Sequence, residues 1–107
     1  MNRYWLAPLA TADLDETWLR CAQDAGTETA DRLIHGIEDR FRMLGDMPHA
    51  GRNRPDFGAA VRCFPAGSCL IYYAKATRGR VQILRVIHGR RDQNKAWRES
   101  SNPHHHR

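Results

Sequence analysis

Ser68-Cys69-Leu70-Ile71-Tyr72-Tyr73-Ala74-Lys75, followed closely by Arg80-Val81-Gln82-Ile83-Leu84-Arg85-Val86-Ile87-His88, decides the fold. Both stretches are rich in β-branched and aromatic residues, which suit a pleated surface. In the first, Cys69, Ile71 and Tyr73 alternate with Leu70, Tyr72 and Ala74, so both faces of the strand are apolar. Thr77-Arg78-Gly79 turns the chain between them. So short a connection joins strands only in antiparallel fashion. Upstream, Ala60-Val61-Arg62-Cys63-Phe64 reads as another strand ending at the turn Pro65-Ala66-Gly67, which makes a three-stranded meander.

Further upstream the apolar period changes from two to between three and four. Leu14, Trp18, Cys21, Ala22 and Ala25 form one stripe, with Asp13, Asp15, Glu16 and Asp24 on the other side, which predicts a helix over 9–25. Gly26-Thr27 breaks it, with Thr27 a candidate N-cap for the next helix. Ala30, Leu33, Ile34, Ile37, Phe41 and Leu44 then mark a second helix that Pro48 stops. Helices joined this tightly double back as an antiparallel hairpin with both stripes on a common core. Residues 49–59 read as loop. At the ends of the chain, Tyr4-Trp5-Leu6 predicts a short strand, and 92–99 a short helix with Asp92 as N-cap and Trp97 as anchor. The expected class is α+β: an N-terminal strand, then a helical hairpin across one face of an antiparallel sheet, then a short C-terminal helix. The hairpin covers one sheet face, and the other is expected to remain partly apolar and open to a partner.

A chain of 107 residues with 41% hydrophobic content holds one core. One domain over residues 1–100 and a disordered tail over 101–107 carrying His104-His105-His106 are expected. No apolar run reaches the roughly 20 residues of a membrane helix, and residues 1–8 lack a signal-peptide core, so a cytoplasmic protein is expected. Cys21, Cys63 and Cys69 form no C-x-x-C and read as buried thiols; no cofactor or metal is expected. Charge is unevenly spread. Residues 1–50 hold five Arg and nine acids, whereas residues 51–107 hold twelve Lys and Arg and three acids. The basic half suits an anionic partner, either nucleic acid or an acidic protein.

Several segments in order resemble one family. Tyr4-Trp5-Leu6-Ala7-Pro8-Leu9-Ala10 with Asp13-Leu14, Phe41…Leu44…Pro48-His49-Ala50-Gly51-Arg52, Val61-Arg62, Leu70-Ile71-Tyr72-Tyr73 and Arg85-Val86-Ile87-His88-Gly89-Arg90-Arg91-Asp92 are similar to the motifs of the RelE/ParE superfamily, ParE branch. Ala7 departs from the family's capping Ser, which weakens that helix start by about 1 kcal/mol. The resemblance implies a toxin of a bacterial type II toxin–antitoxin pair. It also implies a cognate antitoxin that wraps the helices and sheet, and contact with operator DNA only through that antitoxin.

The superfamily divides into two activities. RelE-like members cut messenger RNA on the ribosome, which needs phosphate-stabilising cations and a proton-transfer group; here His88 with Arg62, Arg85 and Arg91 would be the candidates. No Tyr follows Tyr73, however, and His88 also suits a structural role at the strand end. ParE-like members inhibit DNA gyrase by binding alone, so the missing acid–base pair does not count against that reading, with Arg54, Arg90 and Arg91 as target-binding candidates. A third reading is a toxin fold kept only for partner binding. Arg85 also sits where it would pair with an acid such as Asp92. The free sheet face is expected to bind antitoxin through Leu70 or Tyr72, whichever points out, with Arg62, Arg78, Arg80 and Arg85 around it.

Overall fold

The computed structural model describes residues 3–101. In order it contains β1 (Tyr4–Leu6), α1 (Pro8–Ala25), α2 (Thr27–Asp46), β2 (Arg52–Asn53), β3 (Arg62–Ala66), β4 (Cys69–Lys75), β5 (Val81–His88) and α3 (Gln93–Ser101). The tail expected over 101–107 lies outside the described residues apart from Ser101.

Pro8 opens α1 behind Ala7, which makes no side-chain cap bond, as its missing hydroxyl dictates. The joint between the helices is a single residue. Gly26, at φ +93°, closes α1 through its N–H to Ala22 O (2.9 Å) and opens α2 by accepting from Ala30 N (3.1 Å). That corrects the sequence reading, in which Thr27 was the cap: Thr27 is already helical, and the left-handed backbone falls to glycine. Trp18 Nε1 donates to Asp31 Oδ1 at 2.8 Å and ties the hairpin.

The strands form one sheet in the order β1-β5-β4-β3-β2. The meander β3-β4-β5 is antiparallel, with Phe64 opposite Ile71 and Ile71 opposite Val86. β1, however, pairs parallel with β5, Trp5 beside Gln82, so the sheet is mixed. Two further differences concern the edge. Arg52–Asn53, inside the expected loop, add a short strand against Cys63 and Arg62. β3 runs on through Pro65, which is tolerated because β2 stops at Arg52 opposite Cys63, so the missing N–H faces no neighbour.

Leu84 is an extra residue in β5, since Tyr72 faces Arg85 while Tyr73 faces Ile83. The main core lies between hairpin and sheet and includes Ile37, Phe41, Leu44, Ile71, Tyr73, Val81, Ile83 and Val86. Burying each such large side chain contributes about 1.5–3 kcal/mol. A second cluster lies on the opposite face: Val61, Cys63, Tyr72, Ile87 and Ala96, with Phe57, Leu70, Leu84 and Trp97 at its rim. Cys69, Ile71 and Tyr73 therefore face the helices, and Leu70 and Tyr72 face α3. The far face is not left open there, because α3 and the loop before β3 cover it.

Candidate functional site

The covered end of the far face is built by tight turns between β2 and β3. Phe57 N bonds Arg54 O (2.9 Å), Val61 N bonds Gly58 O (3.1 Å), and Arg54 N returns to Val61 O (2.8 Å). These turns lay Phe57 flat on Trp97 of α3, with ring centroids 4.8 Å apart and planes 5° apart, and tilted against Tyr72 at 5.2 Å. The Arg54 guanidinium sits 4.2 Å above the Phe57 ring and is locked by two bonds to Asp56, Nε–Oδ1 3.1 Å and Nη2–Oδ2 3.0 Å. That stack over a half-buried ring combines cation–π attraction with a bidentate ion pair. The Asp56 bond raises the Arg54 pKa, and the same contact lowers that of Asp56.

Beneath this lid the Tyr72 hydroxyl donates to Gln93 Oε1 at 2.7 Å and accepts from Arg54 Nη1 at 3.4 Å. Burial pushes the phenol up to about 12. Tyr72 thus remains a neutral, sealed hydroxyl at neutral pH and is not poised to take a proton. Burial likewise raises the thiols of Cys63 and Cys69.

A second assembly gathers the Pro48–Arg52 segment. Tyr73 Oη donates to Pro48 O (2.8 Å) and accepts from Gly51 N (2.8 Å), while Arg62 Nη1 donates to Gly51 O (2.6 Å). A Cβ at position 51 would lie 2.6 Å from the Tyr73 hydroxyl, which is why glycine stands there.

The third assembly is buried between α1, β5 and α3. Arg85 Nε and Nη2 bond the Asp13 carboxylate at 2.7 and 2.9 Å, Arg85 Nη1 bonds Ala96 O at 3.0 Å, and Val86 N donates to Asp13 Oδ2 at 2.9 Å. β1 has ended by this level, so the carboxylate takes the place of the next strand for that N–H.

These contacts redistribute the residues picked out from the sequence. Arg85 pairs with Asp13 rather than Asp92, and at 7% exposure it is no rim residue. Asp92 instead caps α3, accepting from Lys95 N at 3.1 Å. Tyr72 is fully buried, so of the two outward candidates only Leu70 keeps some exposure. Arg62 pairs with Tyr73 on the helix side of the sheet and braces a loop. Arg54 forms the lid, Arg91 makes a surface pair with Glu99 at 3.3 Å, and Arg90 is exposed. His88 Nδ1 accepts from Arg90 N at 3.1 Å, and its carbonyl accepts from Gln93 Nε2 at 2.8 Å. Arg80 lies at the opposite corner, where Nη2 reaches Tyr4 O at 3.3 Å. Of the nuclease set, His88 and Arg91 line one small cavity with Asp13 and Glu16, while Arg62 braces the Gly51 loop and Arg85 is locked to Asp13, so the four do not converge. Asp13, Phe57 and Gln93 were missed as organising residues; only the burial of partners far along the chain reveals them.

Among the described residues no group of three or more metal-ligating side chains converges, and no helix is long and apolar enough to cross a membrane. The family model described as ParE toxin of type II toxin-antitoxin system, parDE, matches residues 4–93. Toxin ParE1 of Caulobacter vibrioides is 31% identical over 88 residues, 82% of this chain and 90% of the relative. Toxin ParE1 of Mycobacterium tuberculosis is 29% identical over 92 residues, 85% and 93% of the two chains. A solved chain of a chromosomal ParDE TA system from P. aeruginosa superimposes with a TM-score of 0.70 at 22% identity, covering 82% of this chain and 96% of that one.

Proposed function

The chain belongs to the ParE toxin family of type II toxin–antitoxin systems, and from that premise we propose that it arrests growth by binding DNA gyrase in the cytoplasm, with no chemistry of its own. The observation that carries this is the sealed lid. Trp97, Phe57 and Arg54 close over Tyr72, and His88 accepts the Arg90 N–H at Nδ1, so the two side chains that could carry a proton there, Tyr72 and His88, are both held in structural bonds. Cations such as Arg90 then serve as contacts to a gyrase–DNA complex, where charge alone is useful. A cognate antitoxin, acidic and apolar, neutralises the toxin and alone connects it to operator DNA. Of the contacts proposed for it, Leu70, Arg62, Arg78 and Arg80 remain at or near the surface, and Tyr72 and Arg85 are buried.

Expression in a bacterium without antitoxin tests this. The expected outcome is filamentation and a DNA-damage response before translation falls, and His88→Gln should stay toxic at equal levels of folded protein. Codon-specific cuts in transcripts within seconds of induction, lost in His88→Gln, would instead establish the RelE-like nuclease.

A further inference from the structure

The lid covers only part of the far face. Beyond it, Trp5, Gln82 and Ala74 form one row across β1, β5 and β4, since Gln82 is the register partner of both the others. Register partners share a face, and that face is opposite the one on which Tyr4 packs against Phe41. Trp5 is 42% exposed, and its indole makes no side-chain hydrogen bond or ring contact with the described residues. The indole is therefore part buried and part open at a sheet edge, and its open part offers a π-surface to a ligand.

Two unpaired arginines stand at one end of this row. Residues 57–91 contain seven Lys and Arg and no acid. Arg85 and Arg91 are neutralised by Asp13 and Glu99. Arg78 and Arg80 remain exposed on the hairpin that joins β4 to β5, with no ion pair among the described residues, whereas Lys75, the register partner of Val81, lies on the helix-side face. Strand alternation puts Arg80 on the face of Gln82, and its guanidinium is drawn across β1 to the outer carbonyl of Tyr4, next to Trp5. Arg78 stands exposed at the hairpin tip, in a left-handed conformation at φ +63°.

We propose that this corner binds an unpaired nucleic-acid strand, with one base stacked on Trp5 and its flanking phosphates held by Arg78 and Arg80. Stacking on an open aromatic ring beside cations is tolerant of sequence and demands a base free of its partner. Gln82 lies beside the ring with a donor and an acceptor for a base edge, and Ala74 is small enough to leave room. A protein partner is the poorer match. Trp5 has Gln82, Ala74 and arginines around it, not the apolar ring that keeps water from a protein hot spot. The inference goes beyond the gyrase reading and stands whether or not gyrase is the target.

Binding of the full-length chain to a fluorescein-labelled oligothymidylate of about ten nucleotides tests the proposal, with a duplex of equal length alongside. Trp5→Ala should weaken oligothymidylate binding at least about fivefold, the lower end for one stacked base, without changing the salt dependence. Arg78→Ala with Arg80→Ala should reduce the slope of log affinity against log salt by about 1.4. The duplex should bind more weakly and be indifferent to Trp5→Ala. Should Trp5→Ala also disturb folding, Trp5→Phe decides: it should keep the affinity but lose the quenching of indole emission that the oligonucleotide causes. Unchanged affinity in a folded Trp5→Ala, or quenching unchanged in Trp5→Phe, would overturn the proposal. So would Trp5-dependent binding of a polyglutamate peptide but not of the oligonucleotide, which would make this corner a protein dock.

Discussion

Arg85 and Asp13, 72 positions apart, form a two-pronged ion pair inside the protein, with both side chains 9% exposed. The pair connects the first helix to the last strand, and the remaining arm of Arg85 reaches the Ala96 carbonyl in α3. Each charge is compensated by the other, so removing one leaves the other stranded in a low-dielectric interior. Asp13→Ala should cost about 3–5 kcal/mol and also strand the Val86 N–H. The double variant Asp13→Leu with Arg85→Met should cost clearly less than Asp13→Ala. Urea unfolding of the three proteins checks this; equal losses in single and double variants would show that the pair itself contributes net stability.

The alkaline limb of stability should depend on Tyr72. Its folded pKa is about 12 against an ordinary value of 10.0, because burial disfavours the phenolate. The unfolded chain therefore releases this proton first. The tyrosine's contribution is complete below pH 10 and is lost as pH climbs from there towards 12. Tyr72→Phe should flatten the fall in urea midpoint between about pH 10 and pH 12. Some slope should remain, because burial raises Tyr73 in the same direction. At neutral pH the loss of the bond to Gln93 should cost about 1 kcal/mol. An alkaline profile identical to the parent's would show that Tyr72 is not sealed.

Elements with a strong period were legible in the sequence. The stripe from Ala30 to Leu44 marked α2, and the runs through Ile71 and Val86 marked the meander, because side-chain periodicity records which face is buried. β1 was legible as a strand but its parallel partner was not. Three residues carry too little pattern to identify a neighbour, and the pairing with Val81–Ile83 depends on how the helices cross the sheet. The far face was misjudged because Leu70 and Tyr72 look the same whether solvent or α3 lies above them. Phe57, which helps cover Tyr72, sits in a loop with no period at all. Asp13 read as a polar helix position because a carboxylate betrays its burial only once its cation is located. His88, by contrast, stands where its motif placed it, at the strand end with its ring bonded to Arg90 N.

Gly51 should tolerate no side chain. A Cβ there would meet the Tyr73 hydroxyl at 2.6 Å and the Cys63 carbonyl at 2.8 Å, one of which is backbone within the sheet. Gly51→Ala must therefore push the Pro48–Arg52 segment away and break its bonds to Tyr73 and Arg62. A loss of about 1–3 kcal/mol is expected, in the range of overpacked cores. Hydrogen exchange should locate the damage at residues 48–53. A variant of parental stability would mean that the loop can stand off from the sheet without consequence.

Gly36 and Gly45 lie in the same helix and should respond to alanine in opposite senses. In a helix interior, glycine is less favourable than alanine by about 1 kcal/mol, because it leaves more backbone freedom to be lost on folding. At position 36 a Cβ would meet nothing within 4 Å, so Gly36→Ala should recover that propensity and raise stability by up to about 1 kcal/mol. At position 45 a Cβ would fall 2.8 Å from the Cβ of Arg3 and 3.1 Å from its carbonyl, where the chain enters β1. Alanine there has to lift the start of β1 from α2, and the clash outweighs the gain in propensity. Gly45→Ala should therefore destabilise by about 1–3 kcal/mol, and its hydrogen-exchange protection should fall in β1 and in the facing N–H of Val81, which bonds Arg3 O at 2.9 Å. Thermal unfolding of the two variants against the parent separates the cases. If Gly36→Ala also destabilises, something occupies the space above α2, and the helix is not open to solvent at its middle.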